Sequence, residues 1–103
     1  MTDPEGDDAP LVERLCQGEV AAAHALYQRH GAALLRFGVA MSGSRQTAED
    51  VVHDTFLEFL YSPQRFDPAR GTLASCLYGI ARHQISRLRR QAKASGQGDR
   101  RAM

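Results

Sequence analysis

The sequence predicts an all-α fold, a compact helical bundle of three main helices plus a short N-terminal one, on three observations. Apolar residues recur at spacings of three, four and seven in every segment long enough to judge. No stretch alternates apolar and polar residues, and no repeat of roughly 20 to 50 residues appears. Clusters of glycine, proline and small polar residues then cut the periodic segments apart at a few places only. With 103 residues, 43% of them hydrophobic, the chain supports one modest core.

Each element follows from its own residues. Pro10 suits the first turn of a helix, Leu11, Val12 and Leu15 give that helix a short apolar face, and Gly18 stops it. From Glu19 to Met41 the apolar positions Ala22, Ala23, Leu26, Tyr27, Leu34, Leu35, Phe37 and Val39 predict a long helix. Gly31 and Gly38 each weaken it by about 1 kcal/mol relative to alanine, so a bend or break is expected there. "SGSRQ" reads as a turn. The run from Thr47 to Asp50 resembles a capping box and is expected to open the third helix. In that helix Val51, Val52, Thr55, Phe56, Phe59 and Leu60 make a buried stripe. Pro63 and Asp67-Pro68 end it and make "SPQRFDPARG" a loop. Thr72 is placed to cap the last helix, with Leu73, Leu77, Ile80, Ala81, Ile85 and Leu88 facing inward.

The ends differ from this middle. Residues 1–9 read as a disordered acidic tail, residues 10–92 as the folded domain, and residues 93–103 as the start of a flexible basic linker. No apolar run reaches the roughly 18 to 20 residues of a membrane span, and an acidic N-terminus is unlike a secretory leader. The expected location is the cytoplasm, with no membrane contact. Cys16 and Cys76 stand apart, without metal-ligand spacing to His24, His30, His53 or His83, and read as two reduced, buried thiols. No metal or other cofactor is expected. Nucleotide-binding, zinc-protease and serine-hydrolase motifs are absent, so no enzyme is expected either.

Charge carries the functional signal. The net charge of +1 hides a division: residues 1–60 hold ten acids against four arginines, and residues 61–103 hold nine bases against two acids. On the third helix Asp50, Asp54 and Glu58 follow one another at i, i+4 and i+8 with no base between them, beside Glu49 and His53, so like charges repel along that face. A basic partner would relieve the repulsion. On the last helix Arg82, Ser86, Arg89, Arg90 and Lys93 form a stripe that Arg100 and Arg101 extend beyond any need of the helix dipole. Phe66, Tyr78, His83 and Gln84 lie beside it, a mixture suited to unstacked bases.

In order and spacing, "LVERLCQGEVAAAHALYQRHGAALLRF", "TAEDVVHDTFLEFL" and "RFDPARGTLASCLYGIARHQISRLRRQ" resemble region 2 of bacterial sigma factors of the extracytoplasmic-function type. The resemblance implies a helical domain that docks on the β′ clamp helices of core RNA polymerase and binds the non-template strand of the promoter −10 element. It places Glu49, Asp50, His53, Asp54 and Glu58 at the β′ contact. It places Phe66, Asp67, Arg70, Thr72, Tyr78, Arg82, His83, Ser86, Arg87, Arg89 and Arg90 at the DNA, with a flipped base held in the 66–72 loop. Three positions depart from the family: Cys76 stands where tryptophan is usual, His83 where asparagine is common, and Gly79 where a basic residue is common. Such proteins continue through a linker into a second helical domain that reads the −35 element, so this chain is expected to be either the region 2 part of one or an unusually short natural protein; one core accounts for its apolar stripes, so a monomer is expected, and an anti-sigma factor is a further possible partner. Two other classes fit the same residues: an autonomous helical regulator that binds duplex DNA, and a protein-binding module that occupies the polymerase clamp or an anti-sigma factor.

Overall fold

In the computed structural model the backbone of residues 8–102 and the side chains of residues 8–91 are described. Four helices follow one another: α1 (Ala9–Cys16), α2 (Val20–Ser42), α3 (Arg45–Tyr61) and α4 (Leu73–Ala102), with a 3₁₀ turn at Pro63–Arg65 in the connection before α4. The all-α bundle with a short leading helix is what the periodicity implies. α2 packs on α1, α3 and α4, and α3 packs on α4. The inward stripes meet as one cluster of Val12, Leu26, Leu34, Val51, Val52, Phe56, Phe59, Leu73, Leu77, Ile80, Ala81 and Ile85. Burying a side chain such as Phe59 or Leu26 contributes about 1.5–3 kcal/mol, and this burial holds the helices together.

The N-terminus departs from expectation. Asp8 is only 4% exposed, and α1 begins immediately after it with proline in the first turn. Its carboxylate accepts from Arg29 Nη1 at 2.8 Å and meets His30 Nε2 at 2.9 Å. Asp8 and Ala9 therefore belong to the fold and not to a disordered tail, while residues 1–7 lie outside the described residues. Local composition suggests a tail because the partners of Asp8 lie 21 and 22 residues away.

α2 does not break at its glycines. Gly31 lies beneath the ring of Tyr27, which meets Phe56 edge-on at 5.0 Å. At Gly38 α3 comes close: a Cβ there would lie 2.9 Å from Ala48 Cβ and 3.1 Å from Ala48 Cα. The helix spends conformational entropy at Gly38 to let two backbones approach. Gly79 on α4 is the opposite case, where an added Cβ would meet nothing within 4 Å. Gly38→Ala is thus expected to destabilise by about 1–3 kcal/mol through overpacking. Gly79→Ala is expected to stabilise by about 0.5–1 kcal/mol through helix propensity alone. Thermal melts of the two variants should move in opposite directions.

The turn between α2 and α3 also differs. Gly43 takes φ +75° and donates its N–H to Val39 O at 2.7 Å, ending α2 in the left-handed conformation that glycine adopts without a Cβ penalty. Ser44 then caps α3, its hydroxyl accepting from Thr47 N at 3.1 Å. α3 therefore starts at Arg45, and Thr47 lies inside its first turn instead of capping it. At the far end α4 continues as helix to Ala102, through the segment that composition marks as flexible linker. That segment lacks proline, so nothing in its covalent structure stops the helix.

Candidate functional site

The loop before α4 is built from short-range polar contacts. Asp67 Oδ1 accepts from Ala69 N at 3.0 Å, and Arg70 N donates to Asp67 O at 2.9 Å, closing a turn with Pro68 at its corner. Thr72 Oγ1 accepts from Ser75 N at 3.1 Å, which is the expected cap of α4. Between these two devices the backbone of Gly71 takes φ +154°. The result is a cavity of about 290 Å³ at the head of α4, lined by Arg65, Phe66, Asp67, Arg70, Gly71, Thr72, Ser75 and Cys76. Phe66 is half-buried, Arg70 is exposed, and the Thr72 and Ser75 hydroxyls lie 3.1 Å apart.

α4 carries the cavity onward as an exposed face. Arg82, His83, Arg87, Arg89 and Arg90 are exposed and Ser86 is half-buried. The bare backbone of Gly79 lies between the cavity and Arg82. Two of the expected DNA residues also make contacts with α2. Tyr78 stacks obliquely on Phe37 with ring centres 5.0 Å apart. Arg89 donates to the Met41 carbonyl at the end of α2, where it also answers the negative end of that helix. Asp67, in turn, shapes the loop. Ser75 is a lining residue that the sequence reading does not name, although, like Cys76, it follows Thr72 within about one helical turn and so faces the same cavity.

The acidic face of α3 divides as well. Glu49 pairs with Arg45 at 3.1 Å, and Glu58 accepts from Arg65 at 3.3 Å and from Gln84 Nε2 at 2.6 Å, joining α3 to the loop and to α4. Asp50, His53 and Asp54 have no ion pair among the described residues, and Asp50 and His53 are exposed. Leu57 and Tyr61 continue this face at 53% and 91% exposure. Their spacing of seven and eleven from Asp50 could have shown them to be its neighbours. The free surface of α3 is therefore acidic at its start and apolar at its end. Beside it, Tyr27, Gln28, Gly31, Ala32, Leu35, Arg45, Glu49, Val52 and His53 line a groove of about 570 Å³ between α2 and α3.

Neither cysteine matches the expectation of two buried thiols. Cys16, the last residue of α1, is exposed, and Cys76 is half-buried in the wall of the cavity. Burial raises the Cys76 pKa above the ordinary thiol value, and the nearby Arg65 guanidinium opposes this without reversing it. Less thiolate is present at neutral pH, so Cys16 is expected to react with an alkylating reagent at least about tenfold faster than Cys76. Mass-spectrometric labelling against time measures the ratio, and raising the pH should narrow it. Among the described residues no three His, Cys, Asp or Glu side chains are grouped to hold a metal, and no helix is long and apolar enough to cross a membrane.

Comparison with known proteins gives a consistent picture. The family model described as Sigma-70 region 2 matches residues 26–95. The ECF RNA polymerase sigma factor SigL of Mycobacterium tuberculosis is 33% identical over 75 residues, 73% of this chain and 42% of that protein. The RNA polymerase sigma factor NccH of Alcaligenes xylosoxydans xylosoxydans is 33% identical over 90 residues, 87% of this chain and 47% of that protein. The chain thus spans less than half the length of these two relatives. No solved structure gives a significant match.

Proposed function

The chain belongs to the Sigma-70 region 2 family, as a region 2 domain of the extracytoplasmic-function type, and from that premise we propose that it binds and helps to melt the promoter −10 element while docked on core RNA polymerase. The observation that carries this reading is the cavity at the head of α4, whose wall residue Cys76 shares a helix face with the exposed Arg87 and Arg90 further along. Arg82, Arg87 and Arg90 hold phosphates of the non-template strand and fix its register. A base that leaves the stack enters the cavity, where Phe66 offers an aromatic surface and Arg70, Thr72 and Ser75 offer hydrogen bonds to its edge. The N-terminus of α4 adds a partial positive charge at the same place. His83 lies on the strand's path, and Arg89 and Tyr78 support that path from behind.

The free part of the α3 face, Asp50, His53 and Asp54, meets the β′ clamp helices, with Glu49 and Glu58 at its margins. Binding free energy to the separated strand offsets the cost of unpairing, so no covalent step is needed. In this reading residues 8–92 are the working unit, the segment 93–103 leads toward the rest of a sigma factor, and the protein acts as a monomer in the cytoplasm.

Fluorescence anisotropy with a labelled library of −10 non-template strands, with and without core RNA polymerase and at two salt concentrations, tests the proposal. Sequence-selective binding that sharpens with core enzyme is expected. Tight duplex binding without core enzyme would instead identify an autonomous DNA-binding protein, and retention by core enzyme without DNA selectivity a clamp-occupying module.

A further inference from the structure

The loop 66–72 has a cavity on each of its two sides. The one already described, about 290 Å³, extends toward Ser75 and Cys76. The other, about 470 Å³, extends toward the start of α1 and is lined there by Asp8, Ala9, Pro68, Ala69 and Leu73. Phe66, Arg70, Gly71 and Thr72 line both, so the two open pockets share one wall in the loop. The second chamber falls well within the size range of small-ligand sites, about 300–1,000 Å³.

We propose that the second cavity is a nucleobase site, taking an unstacked base of the same strand next to the one held in the first. The inference rests on the reading that this loop meets single-stranded promoter DNA. Four observations favour a base there. Ala9, Pro68, Ala69, Leu73 and the half-buried Phe66 give the chamber the apolar surface that suits a base's flat face. Arg70 borders both chambers, is exposed and forms no ion pair among the described residues, so its guanidinium is available to the phosphate that joins two separated bases.

Gly71 supplies the crossing. A Cβ at this position would meet nothing within 4 Å, so its bare backbone is open to the close passage of a strand. Finally, Asp8 does not repel an approaching phosphate as a free carboxylate would. Arg29 and His30 engage its two oxygens at 2.8 and 2.9 Å, and the side chain is only 3% exposed. Asp8 and Ala9 also lie outside residues 26–95, so one wall of this chamber is supplied by a part of the chain that the family match does not reach.

The two chambers also have walls of their own, which makes the proposal testable. Ala69 lines only the second and Ser75 only the first, and both are exposed. The probe is a fluorescein-labelled strand recovered from a randomised single-stranded pool by the chain together with core RNA polymerase, resynthesised with an abasic site at each position in turn. Two adjacent sensitive positions are expected, each losing about tenfold in affinity. Ala69→Leu should abolish sensitivity at one of them and Ser75→Leu at the other. Ala9→Leu serves as a second filling variant of the same chamber, and a thermal melt shows that each variant folds.

A single sensitive position, or a profile unchanged by both Ala69→Leu and Ala9→Leu, overturns the second site alone. A single sensitive position combined with tighter binding after removal of residues 2–7 would make the chain's own acidic N-terminus the occupant, and overturns it too. A pool from which no strand is retained overturns the reading of the loop itself and the second site with it.

Discussion

Replacing Asp50 and Asp54 together by lysine is expected to weaken binding to core RNA polymerase by about a hundredfold or more while leaving the folding stability nearly unchanged. The two effects separate because of where these carboxylates sit. Neither forms an ion pair among the described residues, and they follow each other at i and i+4, where like charges repel weakly. Exchanging one repelling pair for another at a surface site should stay within about 0.5 kcal/mol. Against a basic partner the reversal converts attraction into like-charge contact, which costs several kcal/mol, and about 3 kcal/mol is already a hundredfold. Binding of labelled chain to core enzyme, beside a thermal melt, measures both. The loss should shrink as ionic strength rises, since exposed charges are screened over about 10 Å at 0.1 M salt. Unchanged affinity in the double variant would remove the acidic face from the polymerase contact. Glu58→Lys is an informative contrast, because Glu58 engages Arg65 and Gln84 and its loss should lower stability as well.

Most of the fold was legible because helical periodicity is a local property. The stripes of α3 and α4 identify themselves from within their own segments, and all of Val51, Val52, Thr55, Phe56 and Phe59 are buried. Readings failed where structure depends on residues far apart. Gly38 looks like a weak point in α2 until Ala48 of another helix is seen packed against it. Thr47 is a different kind of failure, a competition between neighbours, because the adjacent Gly43 and Ser44 start α3 one turn earlier. The candidate site was legible in part for the same reason. Exposure of Arg82, Arg87 and Arg90 follows from phase along α4. That Glu58 would turn to Gln84, and Arg89 to the Met41 carbonyl, depends on how α2, α3 and α4 meet. The second chamber beside the loop needed α1 in place, and no local pattern reports that.

Asp8→Ala should cost about 2–3 kcal/mol of stability, a large loss for a single residue at the edge of a small bundle. The side chain of Asp8 is 3% exposed and that of His30 is 7% exposed, so removing the carboxylate strands a ring nitrogen away from water. A buried polar group left without its partner costs about 1–3 kcal/mol. The Arg29 contribution is smaller, since its side chain is about one-third exposed and water replaces much of what the carboxylate gave. A loss of this size should lower the melting temperature by roughly 10–20 °C in a domain of this length. Asp8→Asn keeps the shape and a hydrogen-bonding oxygen while removing the charge, so its loss should be intermediate. Hydrogen exchange would then locate the damage: α1 amides should lose protection first, because Val12 is the only fully buried side chain that α1 contributes. The start of α1 also walls the chamber beside the 66–72 loop, so a loosened α1 should open that chamber while the one at the head of α4 keeps its walls. If Asp8→Ala melts like the parent chain, the apolar contacts of Leu11, Val12 and Leu15 alone hold α1 in place, and the buried ion pair contributes nothing to closing the fold.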